Sequence, residues 1–115
     1  MRVLERRRLR ADAGALDQRF VLERPVTTPD GFGGQLTTWE SQGAIWAAAQ
    51  PVSADDAVRG GQRDEDVTHR LVVRHRRDLL AGARLRRGSR TLQVRTVRDA
   101  DERGRYLVIE ARERA

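Results

Sequence analysis

The sequence predicts a mainly β fold, a small barrel or two-layer sandwich of about six to seven antiparallel strands with long loops and at most one short helix. Three observations predict it. The apolar residues alternate with polar ones over short runs, most clearly in Val67–Arg76. Turn signals recur at close intervals, among them Asp30-Gly31, Gly60-Gly61 and Gly88-Ser89. No long segment carries the 3.6-residue apolar period of an amphipathic helix.

The elements follow in order. Residues 1–12 hold Arg6, Arg7, Arg8 and Arg10 with only a weak apolar face, and read as a basic N-terminal arm. Residues 13–115 read as a single β-barrel domain. The first strand is Arg19–Arg24, with Phe20 and Leu22 on one face, and Pro25 is expected to end it. Thr27–Gly34 is a turn-rich connection, where Asp30-Gly31 suits a positive φ. Leu36–Glu40 resumes extended structure and makes a long-looped hairpin.

Gly43–Val52 is the most apolar run of the chain and reads as a buried strand. Trp46 is its largest packing unit, its neighbouring alanines permit close approach of another layer, and Pro51 stops the pairing. Ser53–Val58 reads as a helix start, with Ser53 as N-cap and Asp55 and Asp56 in the first turn. Gly60-Gly61 ends it early, so residues 53–66 form one exposed excursion from the sheet. Loops of this length are usually functional or disordered. Val67–Arg76 is a strand with His69, Leu71 and Val73 sharing a face. Asp78–Gly82 is a turn. Ala83–Arg87 and Arg90–Val94 flank a two-residue hairpin signal, the second arm reaching Val97. Asp99–Gly104 is an acidic turn, and Tyr106–Arg112 is the last strand, Leu107 and Ile109 facing away from Tyr106 and Val108.

Composition bounds the function. The chain has 115 residues, 38% apolar and 35% charged, enough for one modest core under a densely charged surface. Its five aromatics are Phe20, Phe32, Trp39, Trp46 and Tyr106, so the core must be mainly aliphatic. There is no cysteine, which excludes disulfides and thiolate zinc sites and suits a reducing compartment. No run has the roughly 18 apolar residues of a membrane span, and the basic start lacks the apolar core of a signal peptide. The net charge is +6, of which residues 1–10 supply +4 through five Arg against Glu5. The body is therefore nearly balanced, and its cations are all Arg.

No catalytic, cofactor or metal site is expected. His69 and His75 share a strand face but stand about 20 Å apart, too far to hold one metal. Ser41, Ser53 and Ser89 have no nucleophile elbow around them. Asp64-Glu65-Asp66 and Asp99–Glu102 fit no EF-hand loop and read as solvated turns. Single-strand nucleic-acid binding needs exposed stacking aromatics, and both Trp lie in apolar or hairpin contexts. Nonspecific contact of the basic arm with phosphates stays open, and a small nucleic-acid-binding β-barrel is the alternative reading from another class.

One resemblance rests on the order of short pieces. Residues 13–25 are followed by Asp30-Gly31-Phe32-Gly33-Gly34, then Thr38-Trp39-Glu40, Ile45-Trp46-Ala47, Gln50-Pro51, Thr68–Arg74, and a hairpin of Arg84-Leu85, Gly88 and Leu92–Val94. This set, over residues 13–112, resembles the head–tail joining proteins of tailed bacteriophages, also called head-closure or stopper proteins. The resemblance implies a noncatalytic head-completion protein of a phage, prophage or gene transfer agent. It implies a hexameric ring of β-barrels in the virion neck, assembled in the bacterial cytoplasm. The portal and adaptor ring would lie above, the tail terminator and tail tube below, and packaged double-stranded DNA in the channel, with no membrane. A tail terminator or another neck ring is the near alternative. By position, Ser53, Asp55, Asp56, Arg59, Gly60, Gly61, Arg63 and Asp64 are the candidate channel loop. Thr28, Asp30, Gly31, Phe32 and Gly33 are the candidate inter-ring loop.

Overall fold

The structure is a computed structural model and describes residues 15–52, 58–59, 62–63 and 67–114. Six strands close into a barrel: β1 (Gln18–Pro29), β2 (Gln35–Pro51), β5 (His69–Arg74), β6 (Arg84–Arg87), β7 (Arg90–Asp99) and β8 (Tyr106–Arg114). Around the barrel the order is β1-β2-β5-β8-β7-β6, with β6 pairing back onto β1, and every pair is antiparallel. Two further strands, β3 (Val58–Arg59) and β4 (Gln62–Arg63), pair with each other. No α-helix occurs among the described residues.

The period-2 pattern explains the core. Alternate residues of each strand point inward, and here they are Phe20 and Leu22, Ile45 and Ala47, Leu71 and Val73, Leu85, Leu92 and Val94, and Leu107, Ile109 and Ala111. Leu79 and Ala83, from the connection before β6, join the same core. Val72 and Val108 point outward and would face water. Leu16, ahead of β1, covers them together with Ala48 and Tyr106, which makes a second, smaller cluster on the outer face. Arg70 shares that outer face; it is buried and pairs across the sheet with Glu110 at 3.4 Å.

Several sequence expectations are corrected. Gly43–Val52 is not a separate strand, because Leu36–Glu40 runs into it as the single 17-residue β2. A bulge lets it do so: Gln42 and Gly43 together oppose Leu22, and Gly43 takes φ +92°, which favours glycine. Trp46 is not a core residue. Ile45 and Ala47 take the interior, so period 2 turns Trp46 outward, 53% exposed, and Phe20 fills the centre instead. Pro25 does not end β1, which continues to Pro29. Past Glu23 the strand has left β6, so one edge is open and a residue without an N–H is tolerated there. Pro51 does close β2, as the last rung, opposite His69. Of the helix expected at Ser53–Val58, residues 53–57 lie outside the described residues, and Val58 belongs to β3. β3 and β4 pair antiparallel, Val58 opposite Arg63 and Arg59 opposite Gln62, while Gly60 and Gly61 lie outside the described residues.

Candidate assembly surface

The longest pairing in the molecule leaves the barrel. β6 contacts β1 only at Val21–Glu23, and β5 contacts β2 only at Ala47–Pro51. Beyond those rungs, Arg24–Pro29 and Gln35–Glu40 pair with each other alone. They form a two-stranded ribbon about 20 Å long, at about 3.3 Å per residue. The molecule is accordingly elongated, 58 × 32 × 28 Å. An isolated two-stranded ribbon is marginally stable in water, so its anchorage matters.

The root supplies that anchorage. Arg84 of β6 donates from Nε to Glu23 Oε1 at 2.5 Å, and its guanidinium lies 4.2 Å from the centre of the Trp39 ring. Arg86 adds a second cation 3.6 Å from Glu23. Arg24 and Glu40 pair across the first ribbon rung, with Nη2 to Oε1 at 2.7 Å. The Arg24 guanidinium holds the Glu40 carboxyl below its usual range. Farther out, Thr38 Oγ1 donates to the Val26 carbonyl.

The tip is ordered by one carboxylate. Asp30 Oδ1 accepts the backbone N–H groups of Phe32 at 2.7 Å and Gly34 at 3.0 Å, and Asp30 N–H donates to the Gly34 carbonyl. Gly31 and Gly33 both take φ +85°, where a side chain would be strained. The result holds Phe32 in water, 94% exposed. The turn thus carries an apolar ring into solvent at the end of the ribbon.

Trp46 and a shallow groove lie on the barrel wall. Leu16, Ala44, Ile45, Trp46, Arg74 and Arg76 line about 320 Å³ there. Arg74 stacks at 5.7 Å over Tyr106, and Arg76 is tied to Asp78 and the Gln42 carbonyl.

Several polar groups elsewhere are engaged in structure. Ser41 Oγ accepts the Gly43 N–H and braces the bulge. Asp99 and Asp101 accept backbone N–H groups within their own turn, and Arg105 pulls the Asp101 carboxyl down. Among the described residues no group of three or more His, Cys, Asp or Glu is placed to hold a metal ion.

Of the predicted site residues, Thr28, Asp30, Gly31, Phe32 and Gly33 come together at the ribbon tip. Arg59 and Arg63 belong to β3 and β4. Ser53, Asp55, Asp56, Gly60, Gly61, Asp64 and the arm residues Arg6, Arg7, Arg8 and Arg10 lie outside the described residues. Sequence reasoning missed the ribbon and its root. A signal was present: the segments on either side of Asp30–Gly34 are equally long, extended and poor in large apolar residues.

Comparison with known proteins bears on this architecture. The profile of the phage head completion protein family matches residues 11–114. The chain belongs to that family. Two solved structures resemble this head completion protein along nearly its whole length. One is a chain in the virion of a native gene transfer agent particle, 29% identical, with a TM-score of 0.66 over 89% of this chain and 94% of that one. The other is the protein SF1141 from Shigella flexneri 2a, 30% identical, with a TM-score of 0.69 over 91% and 98%. Comparison with curated proteins yields no match. The resemblance read from the ordered pieces of sequence is thus confirmed, and the head completion protein counts among the components of phage or phage-like particles.

Proposed function

We propose that this head completion protein is a noncatalytic connector, a stopper that forms a ring between the portal and adaptor on one side and the tail on the other. It retains packaged DNA and gives the tail a docking surface. The observation that carries the reading is the family match over residues 11–114, supported by the likeness to a chain of a gene transfer agent virion. The structure adds a physical motive. Its most prominent feature is a ribbon whose tip exposes Phe32 to water, which suits a protein whose work is contact. Residues 53–66 are the segment proposed to face the channel, and the Arg-rich start is proposed to meet DNA phosphates or a neighbouring ring. A nucleic-acid-binding barrel is less well supported. The exposed aromatics Phe32 and Trp46 are separated by about 35 Å of strand and form no stacking platform.

Deleting the protein from the producing cell tests the reading. Particles are imaged and their nuclease-protected DNA measured. DNA-poor heads without tails are the expected result. Full heads beside free tails would move the protein to the tail side of the joint. Normal particles would sink the connector role.

A further inference from the structure

The ribbon tip and the barrel groove have complementary chemistry. Between Arg24 and Glu40 the only ionisable residue is Asp30, so the tip offers one phenyl ring and one carboxylate. The groove offers the exposed face of Trp46, the apolar Leu16 and Ala44, and a rim of Arg74 and Arg76. Its volume of about 320 Å³ is ample, since a cavity of about 150 Å³ holds a benzene ring. A tip cannot reach the groove of its own chain. Residues 35 and 46 belong to one continuous strand that holds them about 35 Å apart. A ribbon tip that fills the groove must therefore belong to another copy of the chain.

We propose that Phe32 of one copy seats beside Trp46 of the next, with Asp30 against the Arg74 and Arg76 rim. Tip and groove are different surfaces, so the contact is head-to-tail. Such contacts generate rings when the rotation closes, with no second interface required. The contact rests on the connector reading, and it names the residues that would join ring neighbours. It also gives the exposed ribbon a function that the monomer does not supply: the neighbour's barrel wall becomes its support.

The absence of cysteine makes the test clean. Producing cells express two distinguishable copies, one Gln35→Cys, which keeps Phe32 and Asp30 at the tip, and the other Ala44→Cys, and purified particles are treated with a thiol–thiol crosslinker. The expected product is a crosslinked dimer containing one of each copy, with Gln35→Cys alone and Ala44→Cys alone giving on the order of tenfold less. Particles that contain both copies but give no mixed dimer overturn the contact while leaving the connector reading intact. Equal dimer from Gln35→Cys alone overturns it in favour of tip-to-tip pairing. Capture of Ala44→Cys by a cysteine placed at Leu9 overturns it in favour of the N-terminal arm as occupant. Absence of the wild-type protein from particles defeats the connector reading itself. As a second measurement that does not depend on cysteine geometry, Phe32→Ala and Trp46→Ala should each weaken incorporation into particles on the order of tenfold. Unchanged incorporation of both variants, folded by circular dichroism, would also overturn the contact.

Discussion

Asp30 and Phe32 are locked together by a 2.7 Å hydrogen bond from the Phe32 N–H to Asp30 Oδ1, and this bond sets the direction in which the ribbon tip faces. The same oxygen also holds the Gly34 N–H. Replacing Asp30 with Ala removes the one acceptor of both bonds in an exposed turn. The barrel should lose no more than about 1 kcal/mol, because an exposed turn bond competes with water. Amide exchange at Phe32 and Gly34 should nevertheless accelerate by on the order of tenfold. Asp30→Asn keeps an acceptor and should exchange nearly as slowly as wild type. Hydrogen exchange followed by NMR reads both, and equal rates in wild type and Asp30→Ala would refute the assignment.

At the ribbon root, Arg84 serves two partners at once, the Glu23 carboxylate and the Trp39 ring. Glu23 is largely shielded, so its pairing is worth more than a surface ion pair. Arg84→Ala should cost about 1–3 kcal/mol in urea denaturation. Arg84→Lys should recover only part of it, since an ammonium lacks the planar fork that binds and stacks together. A double-mutant cycle with Trp39→Ala should return a coupling of about 0.5–1 kcal/mol.

Core and wall should respond unequally to truncation. Leu85→Ala opens a cavity at a fully buried site and should cost about 2–5 kcal/mol. Trp46→Ala removes a far larger side chain, yet from a half-exposed position on the barrel wall, and should cost about 1 kcal/mol or less. Denaturant midpoints compare the two directly. A larger loss at Trp46 would return it to the core.

His69 makes stability depend on pH. Its Nδ1 lies 2.9 Å from Thr68 Oγ1 and its Nε2 lies 3.3 Å from Arg90 Nη2, near Glu113 at 3.9 Å. The Thr68 hydroxyl donates its proton to the Ala111 carbonyl, and Arg90 can only donate, so the neutral ring fits with its proton on Nδ1. Burial pushes the His69 pKa down, Glu113 pulls it back up, and Arg90 lowers it again. The unfolded chain therefore takes up a proton, as pH falls below about 6.5, that the folded chain refuses. Stability should fall as pH drops from about 6.5 to the folded pKa and be flat just above pH 6.5. His69→Gln should abolish that segment of the melting-temperature profile. Glu40, Asp101 and Glu113 have folded pKa values lowered by Arg24, Arg105 and Arg90 respectively. Their contribution is present above the unfolded carboxylate range and is lost at lower pH than the His69 segment, as pH falls through the folded values.

Strand type, the Gly88-Ser89 hairpin, the facing of Leu107 and Ile109, and the last rung at Pro51 were legible in the chain. Each depends on residues close in sequence: alternation puts side chains on faces, and Gly or Pro punctuates locally. The family was legible for a related reason, since short local pieces in a fixed order survive as a pattern. The place of Trp46 was not legible. Whether an apolar residue in a strand faces the core or a groove depends on which parity the other strands occupy, and Ile45 and Ala47 won that choice only once β1, β5 and β8 were in place. Nor was the ribbon legible. Pro25 ends a strand in the middle of a sheet but not where β6 has already departed, and only the register of β6 on β1 reveals where that is. Local patterning thus settled the type and order of the elements, while partners distant in the chain decided which strands stop, which run on beyond the barrel, and which aromatic rings meet water.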